Sequence, residues 1–125
     1  MGKMLPELHS SSAITRYREG EPVLSKKDIP YPAECIFNAG VAKFKGQYVM
    51  AFRNDFDYRP GGGFGGCVIG VAFSEDGIHW NVRQKPFLTV DDMNDPDITR
   101  VYDPRLTVIG SRCYLCFAVD TRHGV

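Results

Sequence analysis

Asp103 and Arg105 put an acid and a base two residues apart, with Pro104 between them in the run Val101-Tyr102-Asp103-Pro104-Arg105-Leu106-Thr107. Acid–base chemistry needs a carboxylate held still within reach of its target. Pro104 fixes its own φ, has no N–H, and steers the residue before it toward extended geometry. Leu106 to Ile109 reads as an apolar strand. These features predict Asp103 in a constrained turn at a strand entrance. Taken alone, the motif fits an Asp-Pro surface turn with an ion pair better than an active site.

Other chemistry-bearing groups are weaker candidates. Cys113 and Cys116 have CxxC spacing, but Arg112–Val119 reads as a strand. Side chains three apart on a strand point to opposite faces, which makes a shared metal or a disulfide awkward. The four cysteines are therefore read as structural, which suits a reducing compartment. Asp91, Asp92, Asp95 and Asp97 form an acidic loop without EF-hand spacing or its terminal Glu. Five glycines between Gly61 and Gly66 suggest a flexible connector or lid. A strand follows them, not a helix N-terminus, which argues against a phosphate loop. Ser74-Glu75-Asp76-Gly77-Ile78-His79-Trp80 resembles the Asp-box turns of β-propeller glycosidases, one residue shorter. That predicts Trp80 packed on a sheet and His79 facing out.

Composition narrows the classes. The chain has 125 residues, 43% of them hydrophobic, so one domain with a buried core is expected. Fifteen basic residues balance fifteen acidic ones, which removes the electrostatic case for nucleic acid or a membrane surface. No apolar run is long enough to span a bilayer, and residues 1–6 carry neither a signal-peptide core nor a myristoylation pattern. A cytoplasmic protein is the simplest reading.

The elements that must position the acid are strands. Residues 1–35 read as an extended lead-in, punctuated by Pro22, Pro30 and Pro32, with Val23-Leu24 able to dock on a core. Residues 36–125 carry the β pattern. Gly40–Lys45 and Tyr48–Asn54 flank a turn at Gly46-Gln47, a hairpin signal. Leu106–Ile109 and Arg112–Val119 repeat the plan around Gly110-Ser111. Each second strand ends in Arg and Asp. Residues 84–98 read as a loop, and no helical period appears.

Five ordered motifs carry a family resemblance: Ile36-Phe37-Asn38-Ala39-Gly40-Val41, Tyr48–Asp55, Gly70–Trp80, Arg100–Thr107 and Cys116–Gly124. Together they resemble the N-terminal part of the β-1,4-mannosyl-oligosaccharide phosphorylases, glycoside hydrolase family 130, from about residue 20 to the end. The resemblance implies an all-β, five-bladed β-propeller, of which this chain covers roughly the first two blades. It implies inverting phosphorolysis of a β-1,4-mannoside to α-mannose 1-phosphate. Asp103 matches the family's catalytic acid, whose proton passes through the O3 hydroxyl of the bound mannose. Asn38, Arg53 and Asn54 match the mannose pocket. Tyr102 and Arg105 flank the acid, and Asp120, Arg122 and His123 match the next cleft-facing segment.

Those residue types suit the reaction. An inverting hydrolase needs a second carboxylate to activate water, whereas phosphate is already an anionic nucleophile. Arginines can hold it beside a carboxylate. No metal and no cofactor is expected beyond inorganic phosphate as co-substrate. An acid that must be protonated before attack predicts an Asp103 pKa raised by burial or neighbouring anions. A five-bladed propeller needs roughly 225 residues or more, so the chain is read as a fragment, inactive by itself. The alternatives are a β-mannoside hydrolase of the same propeller class and a non-catalytic carbohydrate-binding fragment. The acceptor sugar stays open among glucose, mannose and N-acetylglucosamine, as does a homo-oligomeric state.

Overall fold

The computed structural model describes residues 21–124. The stretch Met1–Gly20, including the polar run His9–Ser12 and most of the predicted lead-in, lies outside the described residues. Six antiparallel strands follow: β1 (Cys35–Phe44), β2 (Gln47–Arg59), β3 (Gly63–Ser74), β4 (Asn81–Val82), β5 (Ile98–Ile109) and β6 (Arg112–Thr121). They form a four-stranded sheet in the order β1-β2-β3-β4 and a two-stranded sheet of β5 and β6. The only helical segments among the described residues are short 3-10 turns at Lys26–Asp28 and Val90–Met93.

Both expected hairpins are present, with shifted boundaries. The first turn is Lys45-Gly46, one residue earlier than predicted, because both residues adopt left-handed geometry (φ 49° and 83°). Two left-handed centres define the turn whose twist suits a hairpin. β2 runs five residues past Asn54, to Arg59. The glycine stretch is not a lid. Only Pro60–Gly62 turns, and Gly63–Gly66 already belong to β3. Glycine weakens a strand unless something covers it. Here Phe56 lies across Gly66 and Phe52 across Gly70, each pair in register between β2 and β3. Tyr58 and Phe64 add a tilted ring pair with centroids 5.4 Å apart.

Alternation along β2 divides the molecule. Met50 and Phe52 face one apolar cluster, which also contains Ile29 and Ala72 and is flanked by Val23, Leu24, Tyr31 and Trp80. The lead-in thus covers this face, through more residues than Val23-Leu24. Ala51 faces the second cluster with Ile69, Val71 and Val101, which joins the two sheets. Fully burying side chains such as Phe52 and Ile69 contributes about 1.5–3 kcal/mol each.

The Asp76 turn closes β3 as expected. Its Oδ1 accepts from the backbone of Ile78 and His79 at 2.8 Å each, and the Trp80 indole donates to Gly77 O at 3.2 Å. His79 faces out, its ring 2.6 Å from Asp76. The chain then adds β4, which the loop reading of 84–98 did not anticipate just upstream. Two residues pairing with Ala72 and Phe73 are too short to show a period. All four cysteines are free; Cys67 is buried and Cys116 exposed.

Candidate active site

β1 carries one extra residue against its partner and β5 carries two, one of them between Ile98 and Arg100. Phe37 and Gly40 pair with Arg53 and Ala51, so three steps on β1 face two on β2. Tyr102 and Arg105 pair with Ala118 and Cys116 in the same way. The residues in these bulges include Asn38 and Asp103, both left-handed with φ of 49° and 50°. Asn and Asp tolerate that region better than other side chains with a Cβ. A bulge re-aims side chains. Phe37 and Asn38 therefore both reach the cluster, although neighbours on a regular strand would face apart. The same holds for Tyr102 and Asp103.

This corrects two expectations for Asp103. It is not extended, and it sits within β5, not at a strand entrance. Pro104, fully buried, fills the bulge where a missing N–H breaks no ladder bond. The two bulged strands lie close together because residue 40 is glycine. A Cβ there would stand 2.8 Å from Arg105 Cα and 2.9 Å from Leu106 N.

Asp103 Oδ1 accepts from Asn38 Nδ2 at 2.8 Å and from Arg53 Nη1 at 3.2 Å. Oδ2 takes no hydrogen bond from the described residues. Arg53 is the hub. Its Nε and Nη2 form a two-bond fork with Asp55, at 2.9 Å each. Its guanidinium lies between the rings of Phe37 and Tyr102, 4.6 Å and 5.0 Å from their centroids. Arg100 Nη2 stands 3.3 Å from the same Asp55. Asp55 is 2% exposed, whereas the Asp103 side chain is 35% exposed.

Electrostatics follow from these contacts. The Asn38 hydrogen bond, with Arg53 and against some desolvation, holds Asp103 below the usual carboxylate range. The expected upward shift is therefore absent: the neighbours of Asp103 donate hydrogen bonds to its anion, and anions do not crowd it. Burial pushes Asp55 up, but hydrogen bonding and charge from Arg53, with Arg100, bring it below its ordinary value. Burial pushes the Cys67 thiol, opposite Asp55 in β3, up to about 12. The Cys67 thiol donates to Val101 O at 3.1 Å.

Of the other sequence candidates, Tyr102 joins the cluster and donates to Asp120 Oδ1 at 2.6 Å, which raises its own pKa. Asp120 thus stands one residue behind it. Arg105 turns Nη1 back onto Pro104 O at 2.8 Å and Asn38 O at 3.3 Å, tying the two bulges together. Asn54 is a correction. One residue from Arg53 on a regular strand, it points to the opposite face, is fully buried, and donates to Pro32 O at 2.9 Å. It anchors the lead-in and does not reach Asp103. Arg122 and His123 lie in an exposed turn: the Arg122 backbone bonds Asp97 O, and the His123 ring stands 3.8 Å from Asp97. Neither contacts Asp103. Phe37, Asp55 and Arg100 were missed as site residues. Period-two spacing from Arg53 could have found Asp55, and the same spacing from Tyr102 could have found Arg100.

A four-stranded antiparallel sheet beside a second hairpin fits part of a β-propeller, whose blades are four-stranded antiparallel sheets. Residues 9–125 match the model of glycoside hydrolase family 130, described as β-1,4-mannooligosaccharide phosphorylase. The chain belongs to this family, whose fold is a five-bladed propeller. No curated protein matches it.

Proposed function

We propose that this chain supplies the acid side of an inverting phosphorolysis of β-1,4-mannosides. Phosphate oxygen attacks C1 of the mannosyl unit, the C1–O bond to the next sugar breaks, and α-mannose 1-phosphate leaves with the shortened acceptor. Asp103 gives up the proton that the departing glycosidic oxygen receives, relayed by the O3 hydroxyl of the mannose. Asn38 and Arg53 hold one carboxyl oxygen still, which leaves Oδ2 for the sugar. Tyr102 and Phe37 flank the guanidinium with apolar rings that suit the face of a pyranose.

One observation carries this reading: Asp103 has one oxygen fixed by Asn38 and Arg53 and the other without a hydrogen bond from the described residues. Asp55 has both oxygens taken by Arg53, and Asp120 accepts the Tyr102 hydroxyl on Oδ1 behind that ring. An inverting hydrolase needs a second free carboxylate to activate water. Phosphate needs none. Because Asp103 is ionised at neutral pH in the free protein, its acidic form arises on binding. A sugar that excludes water and a neighbouring phosphate anion both raise a carboxyl pKa.

That same ionised state favours a second reading, hydrolysis, in which Asp103 would activate water. Phosphate dependence separates the two. In a complete propeller containing this sequence, release of mannose 1-phosphate from β-1,4-mannobiose should require phosphate and fall by about 100-fold to 10,000-fold in Asp103→Asn. Phosphate-independent release of free mannose would establish the hydrolase.

A further inference from the structure

We infer that Asp55 is a positioning residue that keeps Arg53 from closing its fork on Asp103, so that the reactive carboxylate retains a free oxygen. Two carboxylates compete for one guanidinium. A guanidinium has two edges that can fork a carboxylate, Nε/Nη2 and Nη1/Nη2, and a carboxylate fixed on one edge sets where the other edge points. Asp55 holds the fork, through Nε and Nη2 at 2.9 Å each, and Asp103 receives only Nη1 at 3.2 Å.

Burial decides the competition. Asp55 is 2% exposed and Asp103 35%. Removing the ion pair from Asp55 would leave a buried anion short of partners, whereas Asp103 can turn to water. Strand geometry helps, because residues 53 and 55 share a face of β2. The rings of Phe37 and Tyr102 fix the guanidinium plane between the two acids. Arg100 contacts Asp55 from β5, so the buried acid keeps a cation even when Arg53 moves. The other groups facing Asp103 are Asn38 from β1 and Arg105 beside it, with Asp120 of β6 behind Tyr102. None of them makes a fork to Asp103.

The consequence is chemical. Without Asp55, both Nη groups of Arg53 would turn to Asp103, the nearest remaining carboxylate. Its free oxygen would be taken and its anion stabilised, the wrong direction for a proton donor. The inference borrows the proton-donor role of Asp103 only for its catalytic meaning, since the geometry and the test stand without it.

The test is carboxyl 13C NMR titration of the 125-residue chain. Asp55→Asn keeps the size of the side chain and removes its charge. In the folded variant Asp103 should titrate at lower pH than in the parent protein, and a signal that is unmoved or raised overturns the inference. If Asp55→Asn does not fold, Asp103→Asn decides. The Arg53 Nε–H resonance should then keep its parent chemical shift and slow exchange, because Asp55 alone holds it. Loss of that protection would show that Asp103 had been the anchor and would overturn the inference equally. Either result leaves the choice between phosphorolysis and hydrolysis untouched, since neither measures turnover.

Discussion

β2 carries two arginine–aspartate pairs with the same spacing and opposite fates. Arg53 and Asp55 sit where the strand passes beneath β5, with side chains 18% and 2% exposed. Asp57 and Arg59 sit four residues on, at the protruding end, 52% and 67% exposed, with a 2.5 Å contact between them. The shorter contact belongs to the less consequential pair. In water the Coulomb gain of an exposed pair nearly cancels against hydration and side-chain entropy. Under β5 the same two groups have little or no access to water, so less of the attraction is lost to hydration. Distance alone therefore does not rank ion pairs; what surrounds them does.

The largest break in this contrast should come from Asp55→Ala. It leaves Arg53 and Arg100 without their shared anion, and urea unfolding should show a loss of about 3–5 kcal/mol. Arg53→Lys should cost less, about 1.5–3 kcal/mol by the same measurement, because one ammonium cannot reproduce the fork and its bond to Asp103. Gly40→Ala tests whether the closeness of β1 and β5 creates the shielded environment. Its Cβ meets β5 backbone, so a loss of about 1–3 kcal/mol is expected, with Asn38 moved off Asp103. Amide chemical shifts at residues 38 and 103 would record that movement.

Acid should sharpen the contrast further. Asp55 and Asp103 both have lowered pKa values in the folded chain, so their contribution is complete above the ordinary carboxylate value of 3.8. It is lost as the pH falls from there through the lower folded values. Unfolding free energy measured against pH should therefore decline below about pH 4, and the decline should be shallower in Asp55→Asn. Smallest of all, Asp57→Ala should change stability by at most about 1 kcal/mol, and added salt should erase the difference.

Much of this was legible in the sequence. Both hairpins, the Asp-box turn and the packing of Trp80 follow from turn residues and alternation, whereas Asn38, Arg53, Tyr102 and Asp103 were grouped only by the order of the family motifs. What was not legible has physical causes. A bulge adds one residue without a compositional mark, so Asp103 reads as extended when it is left-handed. Asn54 lies beside Arg53 in sequence, and only strict alternation places it on the far face. Residues 63–66, three of them glycine, look like a loop until the aromatic residues opposite them are known. The sign of the Asp103 shift depended on which polar neighbours donate to it. The types of those neighbours were visible, but the bonds they make were not.

The rings over Gly66 and Gly70 have one more consequence, for how β2 finds its place along β3. Sliding two strands by a single residue swaps every inward side chain for an outward one, an error that the hydrophobic pattern itself rejects. Sliding by two keeps every face and escapes that check. It would also set Phe52 opposite Val68 or Ala72, where a side chain occupies the space the ring needs. The two bare positions thus act as notches of a gauge: they catch the one kind of misalignment that polarity cannot see, and they do so before any catalytic group has to be in place.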